Sequence, residues 1–490
     1  MSNNLIENKD NIRTSDMPFI KLFRTPRGYY FYDVNKDMIC PVEESTYYEL
    51  DDILSGNSSD ESETIIELKS NGWLSSHKPS KIEHGFTENV ELWLDHQVFQ
   101  LVLQITQACN LSCIYCPYAN SHNDALSRSH TSKTMTFETA KKAIDFLAEH
   151  SDNSKELFIS FYGGEPLIVF PLIKKCVEYA DEVFEGRNIK YSITTNATLL
   201  TDEMIEYMYS KKFFITFSLD GPKRIHDMHR LRTDGTPTYD DVIKVLEKTA
   251  EIYGEADLGA ISINMVINPE NPLDELLEWL STPILQKIEV RSTLIENDYI
   301  ERKFYSTGEY TEKFNYQYAM GMLDYLQIVK DISVSSVIEP QIQSIISEYS
   351  KFQCDNISLP DVTSPSGPCL SGVRKLFVNA DGKFYPCEKV NELAECMVIG
   401  NVDDGFYVQK VKEHLNISQL SSDLCKNCWV QAHCSICQRQ AEDGDNLSAS
   451  KKNSFCGKTK DEFMSTLYAC ALISECKSVY PAIKGKGGCK

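Results

Sequence analysis

One pattern repeats from Val98 onward: a short apolar segment typical of a β-strand is followed by a segment with helical spacing. The apolar segments are VFQLVLQIT, ELFISFYGG, KYSITTN, FFITFSLDG, AISINMVIN and KIEVRS. Strands that alternate with helices of roughly 10–15 residues predict right-handed βαβ units and a parallel sheet. Six strands are too few for a closed eight-stranded barrel. A partial barrel or an open doubly wound sheet remains.

Cysteines, glycines and polar residues follow the first four of these predicted strands. Parallel strands end at one edge of a sheet, and both fold alternatives bind ligands at that edge. We therefore expect these residues to lie close together. They are Cys109, Cys113 and Cys116 after the first strand, Gly163, Gly164, Glu165 and Pro166 after the second, Thr195 and Asn196 after the third, and Ser218, Leu219, Asp220 and Gly221 after the fourth.

Length and charge restrict the partners that this chain can have. Its 490 residues exceed what one hydrophobic core usually serves, which predicts two or three domains. A net charge of -22 without a basic stripe argues against nucleic acid and anionic membranes. No apolar run approaches the roughly 18 residues that span a bilayer, and MSNNLIENKD lacks the apolar core of a signal peptide. These features predict a soluble, cytoplasmic protein.

The three cysteines in QACNLSCIYCPY indicate an iron-sulfur cluster. The chain contains 17 cysteines, and cysteine clusters in a long cytosolic protein more often bind metal or do redox chemistry than form disulfides. A structural zinc site would need a fourth ligand. Three thiolates can instead hold three corners of a [4Fe-4S] cluster and leave one iron open. We expect chemistry at that open iron.

The CxxxCxxC spacing with Tyr115 before the last cysteine resembles the signature of the radical S-adenosylmethionine (SAM) enzymes, and GGEP at the second strand extends the resemblance. A GGEP segment by itself is also compatible with a simple strand-ending turn. The resemblance implies that the amino and carboxylate groups of SAM chelate the open iron of the cluster on Cys109, Cys113 and Cys116. It further implies that SAM is held by Tyr115, Gly163, Gly164, Glu165, Pro166, Asn196, Ser218 and Arg230.

The same resemblance assigns parts of SAM to these residues. The GGEP segment would bind the amino group, since glycines allow close backbone approach, and Asn196 would touch the ribose, although many relatives carry glycine where this chain has Ala197. Ser218 and Arg230 would hold the carboxylate, which suits the planar guanidinium. A surface salt bridge for Arg230 and simple packing for Tyr115 are the alternatives. Asp220 is interpreted as a residue near the cofactor, and no general base can be named.

The C-terminal third resembles the seven-cysteine SPASM domain of peptide-modifying radical SAM enzymes. By position, one auxiliary [4Fe-4S] cluster would use Cys425, Cys428, Cys434 and Cys456, and the other would use Cys369, Cys387 and Cys437. Only two residues separate the third and fourth cysteines of DLCKNCWVQAHCSIC, where three are usual, so the assignments of Cys434 and Cys437 could be exchanged. A zinc ribbon is the alternative, because CxxC pairs are also zinc-ligand spacing.

The Cys369 cluster lacks one protein ligand by this count. Sulfatase-maturing relatives carry a further cysteine shortly after the first, whereas SGVRKLF follows Cys369 here. Cys354, Cys396 or a cysteine of the substrate remain as candidates for the fourth ligand.

Residues 17–80 predict a small separate domain with three antiparallel strands and three helices. Turns at Pro26-Arg27-Gly28 and Asn35-Lys36-Asp37 divide the strands, Ser45 and Ser59 or Asp60 are expected N-caps, and Gly56 and Gly72 are expected helix ends. The unit resembles the winged-helix-like peptide-recognition (PqqD-like) domain of peptide maturases. The resemblance implies that a leader peptide adds as a strand at the edge formed by FIKLFRT. A plain winged helix that packs on the barrel is the alternative.

Together these features predict an α/β protein: a partial (β/α)6 TIM-like barrel with an N-terminal winged-helix-like domain and a C-terminal SPASM domain. The expected division is 17–80 for leader binding, 81–97 as linker, 98–335 for the radical SAM core and 336–490 for the SPASM region. The combination resembles thioether-forming maturases of cysteine-rich peptides, including SCIFF-type and clostridial precursors. This implies reductive SAM cleavage, hydrogen abstraction from a precursor peptide, and a flavodoxin or ferredoxin as reductant.

Rival functions remain open at this point. A carbon-carbon crosslink, an epimerisation or formylglycine formation would use the same scaffold, although formylglycine-forming enzymes lack the front domain. A non-enzymatic zinc-ribbon protein is the other alternative.

Overall fold

The computed structural model describes residues 17–57, 61–118, 128–298, 300, 302–329, 334–354 and 358–479. Within these ranges, no helix has both the length and the apolar character that a membrane crossing requires.

The N-terminal unit is an antiparallel three-stranded sheet followed by two helices. Its elements are β1 (Ile20–Arg24), β2 (Tyr29–Asp33), β3 (Met38–Val42), α1 (Glu44–Ser55) and α2 (Glu63–Ser70), with β2 central. Both predicted turns are confirmed, and Gly56 ends α1 in the left-handed conformation, as expected for a C-cap. Glu43 rather than Ser45 precedes α1, and Ser62 caps α2; the predicted caps Ser59 and Asp60 lie outside the described residues.

Both faces of this small sheet are covered. One face packs on its own helices through Ile20, Phe31, Leu50 and Ile65. The opposite face, with Phe23, Tyr30 and Tyr32, packs against the C-terminal part of the chain, where Phe463 and Leu467 are buried beside it. The N-terminal unit is therefore packed firmly onto the C-terminal region.

Residues 81–97, predicted to be a linker, contain regular structure. They form β4 (Lys81–Ile82) and α3 (Val90–His96), and β4 pairs in parallel with β11 (Val362–Thr363). The third helix expected in the N-terminal unit is thus α3, which lies beyond residue 80. Val90 and Leu94 of α3 are buried in the main core, which anchors this segment to the barrel region.

The six predicted parallel strands are confirmed and lie side by side in chain order. The strands are β5 (Gln100–Thr106), β6 (Leu157–Gly163), β7 (Ile189–Thr195), β8 (Phe214–Ser218), β9 (Ile261–Ile267) and β10 (Glu289–Leu294). The intervening helices are α4 (Phe137–Glu149), α5 (Phe170–Val183), α6 (Asp202–Ser210), α7 (Lys223–His229), α8 (Tyr239–Asp257) and α9 (Leu273–Leu280). Helix α7 is an addition to the predicted pattern. It ends immediately before Arg230.

The sheet continues beyond the six strands into the C-terminal third. The outer edge of β5 pairs in parallel with β12 (Leu376–Val378), and β13 (Lys383–Tyr385), β14 (Gly400–Asn401) and β15 (Gly405–Phe406) follow antiparallel. In the described residues the sheet thus has ten strands and stays open, because β10 pairs only with β9. Strands of two or three residues are too short to show an alternating pattern, so the sequence does not reveal them.

Helices dominate the remaining C-terminal chain. The first two of these helices after β10 are α10 (Gly308–Tyr325) and α11 (Glu339–Lys351). The other elements are α12 (Val408–Leu415), α13 (Ser422–Lys426), β16 (Glu442–Asp443), β17 (Asn446–Leu447), α14 (Ala449–Ser454) and α15 (Cys456–Val479). Helix α15 packs on α11 and on the N-terminal sheet.

Candidate active site

The loop that carries Cys109, Cys113 and Cys116 follows β5 and is held by the chain after α7. Backbone hydrogen bonds join Ser112 N to Leu231 O at 2.8 Å and Ile114 N to His229 O at 3.0 Å. None of the three cysteines forms a disulfide, and they are near enough to influence one another electrostatically. Burial raises the pKa of Cys109 to about 11 and that of Cys113 to about 12. Burial therefore favours the protonated forms of Cys109 and Cys113 until a metal displaces the protons.

The two glycines of GGEP are required by close backbone packing against the chain that leads to Cys109. A Cβ atom on Gly163 would lie 2.1 Å from Thr106 O, and one on Gly164 would lie 2.1 Å from Ala108 O. Hydrogen bonds from Gly164 N to Thr106 O and from Glu165 N to Ala108 O, both 2.8 Å, hold the segments together. GGEP therefore fixes the start of the cysteine loop as well as lining the site.

Glu165 is buried and accepts three hydrogen bonds from the chain around it. Oε1 accepts from Leu167 N at 3.1 Å and from Thr195 Oγ1 at 2.7 Å, and Oε2 accepts from Asn196 N at 2.7 Å. Burial raises the pKa of Glu165 to about 7, although these hydrogen bonds act in the opposite direction. The carboxyl thus links the GGEP segment to the end of β7.

Glu165→Gln is expected to remove a pH-dependent contribution to stability. The folded pKa of about 7 exceeds the ordinary value of 4.5, so the stabilising contribution is complete below pH 4.5 and is lost as pH rises through 7. The difference in unfolding free energy between the two proteins should change by on the order of 1–3 kcal/mol between pH 5 and 8. Denaturant unfolding across this range measures it. A constant difference would contradict the raised pKa.

Asn196 and Ala197 form a tight turn after β7. The Asn196 side chain donates to Asn110 Oδ1 at 3.0 Å and accepts from Thr198, so it connects this turn to the cysteine loop. Ala197 has φ of 61°, a left-handed conformation that glycine adopts more readily. Ala197 therefore holds a backbone conformation to which glycine is better suited.

Arg230, Tyr115 and Asp220 form one buried network. Arg230 Nε donates to Asp220 Oδ2 at 2.9 Å, and the Tyr115 hydroxyl donates to the same oxygen at 2.6 Å. The other carboxylate oxygen accepts from Val266 N at 3.1 Å. Burial favours a raised pKa for Asp220, but Arg230 and His226 outweigh it and hold the pKa below its ordinary value. The interpretation of Arg230 as a surface salt bridge is wrong, because its ion pair with Asp220 is buried.

A cavity of about 460 Å³ joins these residues at the carboxyl ends of the strands. Nearly all predicted SAM-site residues line it: Cys109, Cys113, Tyr115, Cys116, Gly163, Gly164, Glu165, Asn196, Ser218 and Arg230. Pro166 does not line it but opens the short helix Pro166–Val169 behind Glu165. Asp220 does not line the cavity, but it accepts hydrogen bonds from three residues that do, Arg230, Tyr115 and Val266.

Several cavity residues were missed by sequence reasoning. His130 places its Nε2 atom 3.6 Å from Cys116 Sγ. Tyr162, which directly precedes Gly163, also lines the cavity. Glu388 and Arg439, which also line the cavity, come from the C-terminal third of the chain. The signal available in the sequence for the last two was their position next to Cys387 and two residues after Cys437.

The seven C-terminal cysteines fall into two groups. The Cys369 thiol acts electrostatically on Cys387 and on Cys437. The Cys425 thiol acts on Cys428, Cys434 and Cys456. This grouping favours the original order over an exchange of Cys434 and Cys437.

The candidate fourth ligands of the Cys369 group differ in availability. Cys354 is disulfide-bonded. Cys396 is a free thiol buried among Phe377, Tyr385 and Met397, and burial raises its pKa to about 11.

The three cysteine groups offer thiols, which are the soft ligands that iron-sulfur clusters use. In the part of the chain that the structure describes, no three His, Cys, Asp or Glu side chains converge as ligands of one ion would.

Comparison with known proteins defines the class to which the central region belongs. Residues 103–281 match the model of the radical SAM superfamily. The sheet and the cavity at its strand ends lie in and around this range. The chain therefore contains a radical SAM domain, which confirms the predicted fold class and, at the level of the class, SAM and a [4Fe-4S] cluster as cofactors.

Individual relatives are similar over different lengths. An uncharacterized protein from Methanocaldococcus jannaschii is 40% identical over 144 residues, 29% of this chain and 46% of the relative. The serine-type anaerobic sulfatase-maturating enzyme of Bacteroides thetaiotaomicron is 30% identical over 36% of this chain and 42% of its own. The chain thus spans less than half of these two relatives.

Longer similarity is found at lower identity. The cysteine-type anaerobic sulfatase-maturating enzyme of Clostridium perfringens is 23% identical over 74% of this chain and 94% of that enzyme. A solved structure of native anSMEcpe with bound AdoMet and Cp18Cys peptide has a TM-score of 0.54 at 20% identity, and the match covers 76% of this chain and 99% of that one. The shared fold therefore extends beyond the radical SAM domain.

Proposed function

We propose that this protein modifies a ribosomally made, cysteine-rich precursor peptide by forming thioether crosslinks between cysteine sulfur and residue carbons. The observation that carries this proposal is the shared cavity of about 460 Å³. The Cys109–Cys116 loop lines this cavity together with Glu388 and Arg439, which neighbour Cys387 and Cys437 of the Cys369 group in the chain. A peptide in this cavity would present a carbon to the first site and a thiol to the second.

The proposed SAM site assigns a task to each wall residue. SAM on the Cys109, Cys113 and Cys116 cluster supplies, when bound, the radical that removes a hydrogen atom from the peptide. Arg230 pairs with the SAM carboxylate, and Asp220 keeps the guanidinium and the Tyr115 ring in place. Gly163 and Gly164 offer backbone polar groups without side chains in the way.

The proposed auxiliary sites differ in their number of thiols. Cys425, Cys428, Cys434 and Cys456 supply four ligands, which is a complete set for a closed cluster. Cys369, Cys387 and Cys437 supply three, and Cys369 is exposed to solvent. Disulfide-bonded Cys354 is not available as it stands, which favours a substrate thiol as the fourth ligand. A flavodoxin or ferredoxin is the proposed electron donor.

Formylglycine formation is the second candidate function. It is favoured by the similarity over 94% of the cysteine-type sulfatase-maturating enzyme. A radical SAM cyclopropyl synthase, TigE, is also 32% identical over 31% of this chain. Different radical outcomes are therefore represented among proteins with related sequences.

An anaerobic assay with a short cysteine-rich peptide encoded beside this gene distinguishes these outcomes. A thioether removes two hydrogens and one free thiol, and a carbon-carbon bond removes two hydrogens without consuming a thiol. Epimerisation leaves the mass unchanged, and formylglycine formation from cysteine removes its sulfur. Mass spectrometry before and after thiol alkylation distinguishes the three outcomes that change the mass, and chiral amino-acid analysis of the hydrolysed peptide detects epimerisation. Cleavage of SAM with loss of two hydrogens and unchanged thiol count would contradict the thioether proposal.

The N-terminal unit is proposed to bind the leader peptide along β1. Hydrogen bonds from Val34 N to Phe19 O and from Thr25 N to Gly28 O define the ladder between β1 and β2. The alternation of an antiparallel ladder then directs the backbone N–H groups of Ile20, Leu22 and Arg24 to the outer edge. The other edge strand, β3, contains Pro41, which has no N–H to donate. The β1 edge is thus better suited to strand addition.

Leu22→Pro is expected to weaken leader binding at least about tenfold, because it removes the central outward N–H of β1. Leu22→Ala is the matched control, since it shortens the side chain and keeps the N–H. Ile39→Pro makes the equivalent change on β3. Fluorescence anisotropy with a labelled leader measures all three. Weakening by Ile39→Pro alone would assign the peptide to the other edge.

A further inference from the structure

Lys452 is a buried lysine beside the Cys425 group. It lies in α14 with 2% of its surface exposed. Its Nζ donates to Ser421 Oγ at 2.6 Å, to Cys425 Sγ at 3.3 Å and to Asn453 Oδ1 at 3.4 Å. All three N–H groups of the ammonium are therefore used, and one of them points at a cysteine sulfur.

No carboxylate balances this ammonium among the described residues. A buried charge without a counter-charge is costly. The groups in a position to compensate are thiols: Cys425 accepts a hydrogen bond, and Lys452 also favours the ionised forms of Cys434 and Cys456. The placement of Lys452 is consequently favourable when these cysteines are thiolates, as they are when they bind metal.

The cations that act on the Cys369 group, Lys375 and Arg439, both have carboxylate partners. Lys375 is paired with Glu388 at 2.8 Å, and Arg439 is paired with Glu296 at 2.7 Å. The hydrogen bond to Cys369 Sγ comes from the neutral amide of Gln438, at 3.2 Å. A buried cation that donates to sulfur without a carboxylate partner is thus a feature of the Cys425 group.

We propose that Lys452 is a positioning residue that raises the reduction potential of the cluster on Cys425, Cys428, Cys434 and Cys456. The proposal rests on the iron-sulfur assignment of the proposed function. One-electron reduction takes the cluster core from 2+ to 1+, so the total charge with four thiolates goes from 2− to 3−, and no proton is taken up. A fixed positive charge at hydrogen-bond distance from one sulfur stabilises the more negative state. Hydrogen bonds to the sulfurs and net charge are known controls of cluster potential.

The test is an anaerobic redox titration followed by electron paramagnetic resonance. The full chain carries the Cys109, Cys113 and Cys116 to alanine changes as background, which leaves the two auxiliary signals. Lys452→Met should lower one midpoint potential by at least about 59 mV, a tenfold change in a one-electron equilibrium. Lys452→Arg, which keeps the charge, should retain most of the potential. Lys452→Gln removes the charge but keeps a hydrogen-bond donor, and its midpoint potential should be close to that of Lys452→Met. Gln438→Leu, at the other group, should leave this midpoint unchanged.

Two results would overturn the proposal: an unchanged midpoint in Lys452→Met with full iron content, or an equal drop in Lys452→Arg, which would indicate altered packing. If the Lys452→Met variant does not bind its cluster, the midpoint potential of Lys452→Gln tests the proposal by the same criteria. Zinc instead of iron at these cysteines would overturn the redox role together with the proposed function, and metal analysis identifies that case. Failure of peptide modification with the expected potential shift would refute only the thioether assignment.

Discussion

Replacing Cys109, Cys113 and Cys116 together with alanine is expected to abolish reductive SAM cleavage and to lower the iron content from about twelve to about eight per chain. The three thiols line the cavity at the end of β5, and the seven C-terminal cysteines belong to two other groups. Loss of the triad therefore removes one cluster and leaves the C-terminal groups intact. Detection of 5'-deoxyadenosine by chromatography and of iron by colorimetry measures both effects.

The control for the triad is the double change of Cys40 and Cys476 to alanine. Both thiols are free and lie outside the three groups, so cleavage and iron content should stay at wild-type levels. Cleavage that persists in the triad variant would refute the cofactor site. A wild-type content of about four irons, or of zinc alone, would refute the auxiliary clusters instead.

Asp220→Ala is expected to destabilise the protein by about 3–5 kcal/mol, since it leaves the Arg230 guanidinium buried without its counter-charge. Both side chains of the pair are nearly inaccessible to solvent, with exposures of 9% for Arg230 and 0% for Asp220. The Tyr115 hydroxyl loses its acceptor in the same change. Denaturant unfolding measures the loss, and SAM binding to the folded fraction should weaken as Arg230 moves.

The lowered pKa of Asp220 determines how its contribution to the free energy of unfolding depends on pH. The folded pKa of Asp220 is below its ordinary value of 3.8, so its contribution to stability is present above pH 3.8 and is lost as pH falls through the folded pKa. The penalty of Asp220→Ala should therefore be constant from pH 5 to 8. Glu275→Ala, which breaks the exposed pair with Arg224, is the control and should have little effect. An equally small effect of Asp220→Ala would contradict the buried network.

Local sequence patterns were sufficient for the parallel core and for the residues at its strand ends. The six strands were recognisable because a buried parallel strand is a continuous apolar run, and the alternating helices set the topology. The cysteine loop and GGEP follow two neighbouring strands, so their meeting in the cavity follows from the fold class. The N-terminal sheet of β1, β2 and β3 was also predictable, because its turns contain the turn-forming residues Pro26, Gly28 and Asn35.

Local sequence patterns did not predict the short strands, the structure of segment 81–97 or the contacts of the buried charges. Strand β12 has three residues, yet it joins the C-terminal third to β5 and so brings Glu388 and Arg439 to the cavity. Segment 81–97 was predicted to be a linker because most of its residues are polar. Its apolar residues Val90 and Leu94 are nevertheless buried in the main core. Asp220 was interpreted as a residue near the cofactor, and the sequence did not show that it accepts hydrogen bonds from both Arg230 and Tyr115.

The sequence by itself determined the thiol count, the strand order and the edge of the sheet at which ligands meet, because these depend on spacing within one segment. Only the tertiary structure decided which distant groups face one another. It sorted Cys434 with Cys425 and Cys437 with Cys369, placed Arg230 on Asp220, and brought Lys452 to the sulfur of Cys425. The physical reason is that burial and electrostatic pairing depend on contacts between segments far apart in the chain, which no local period records.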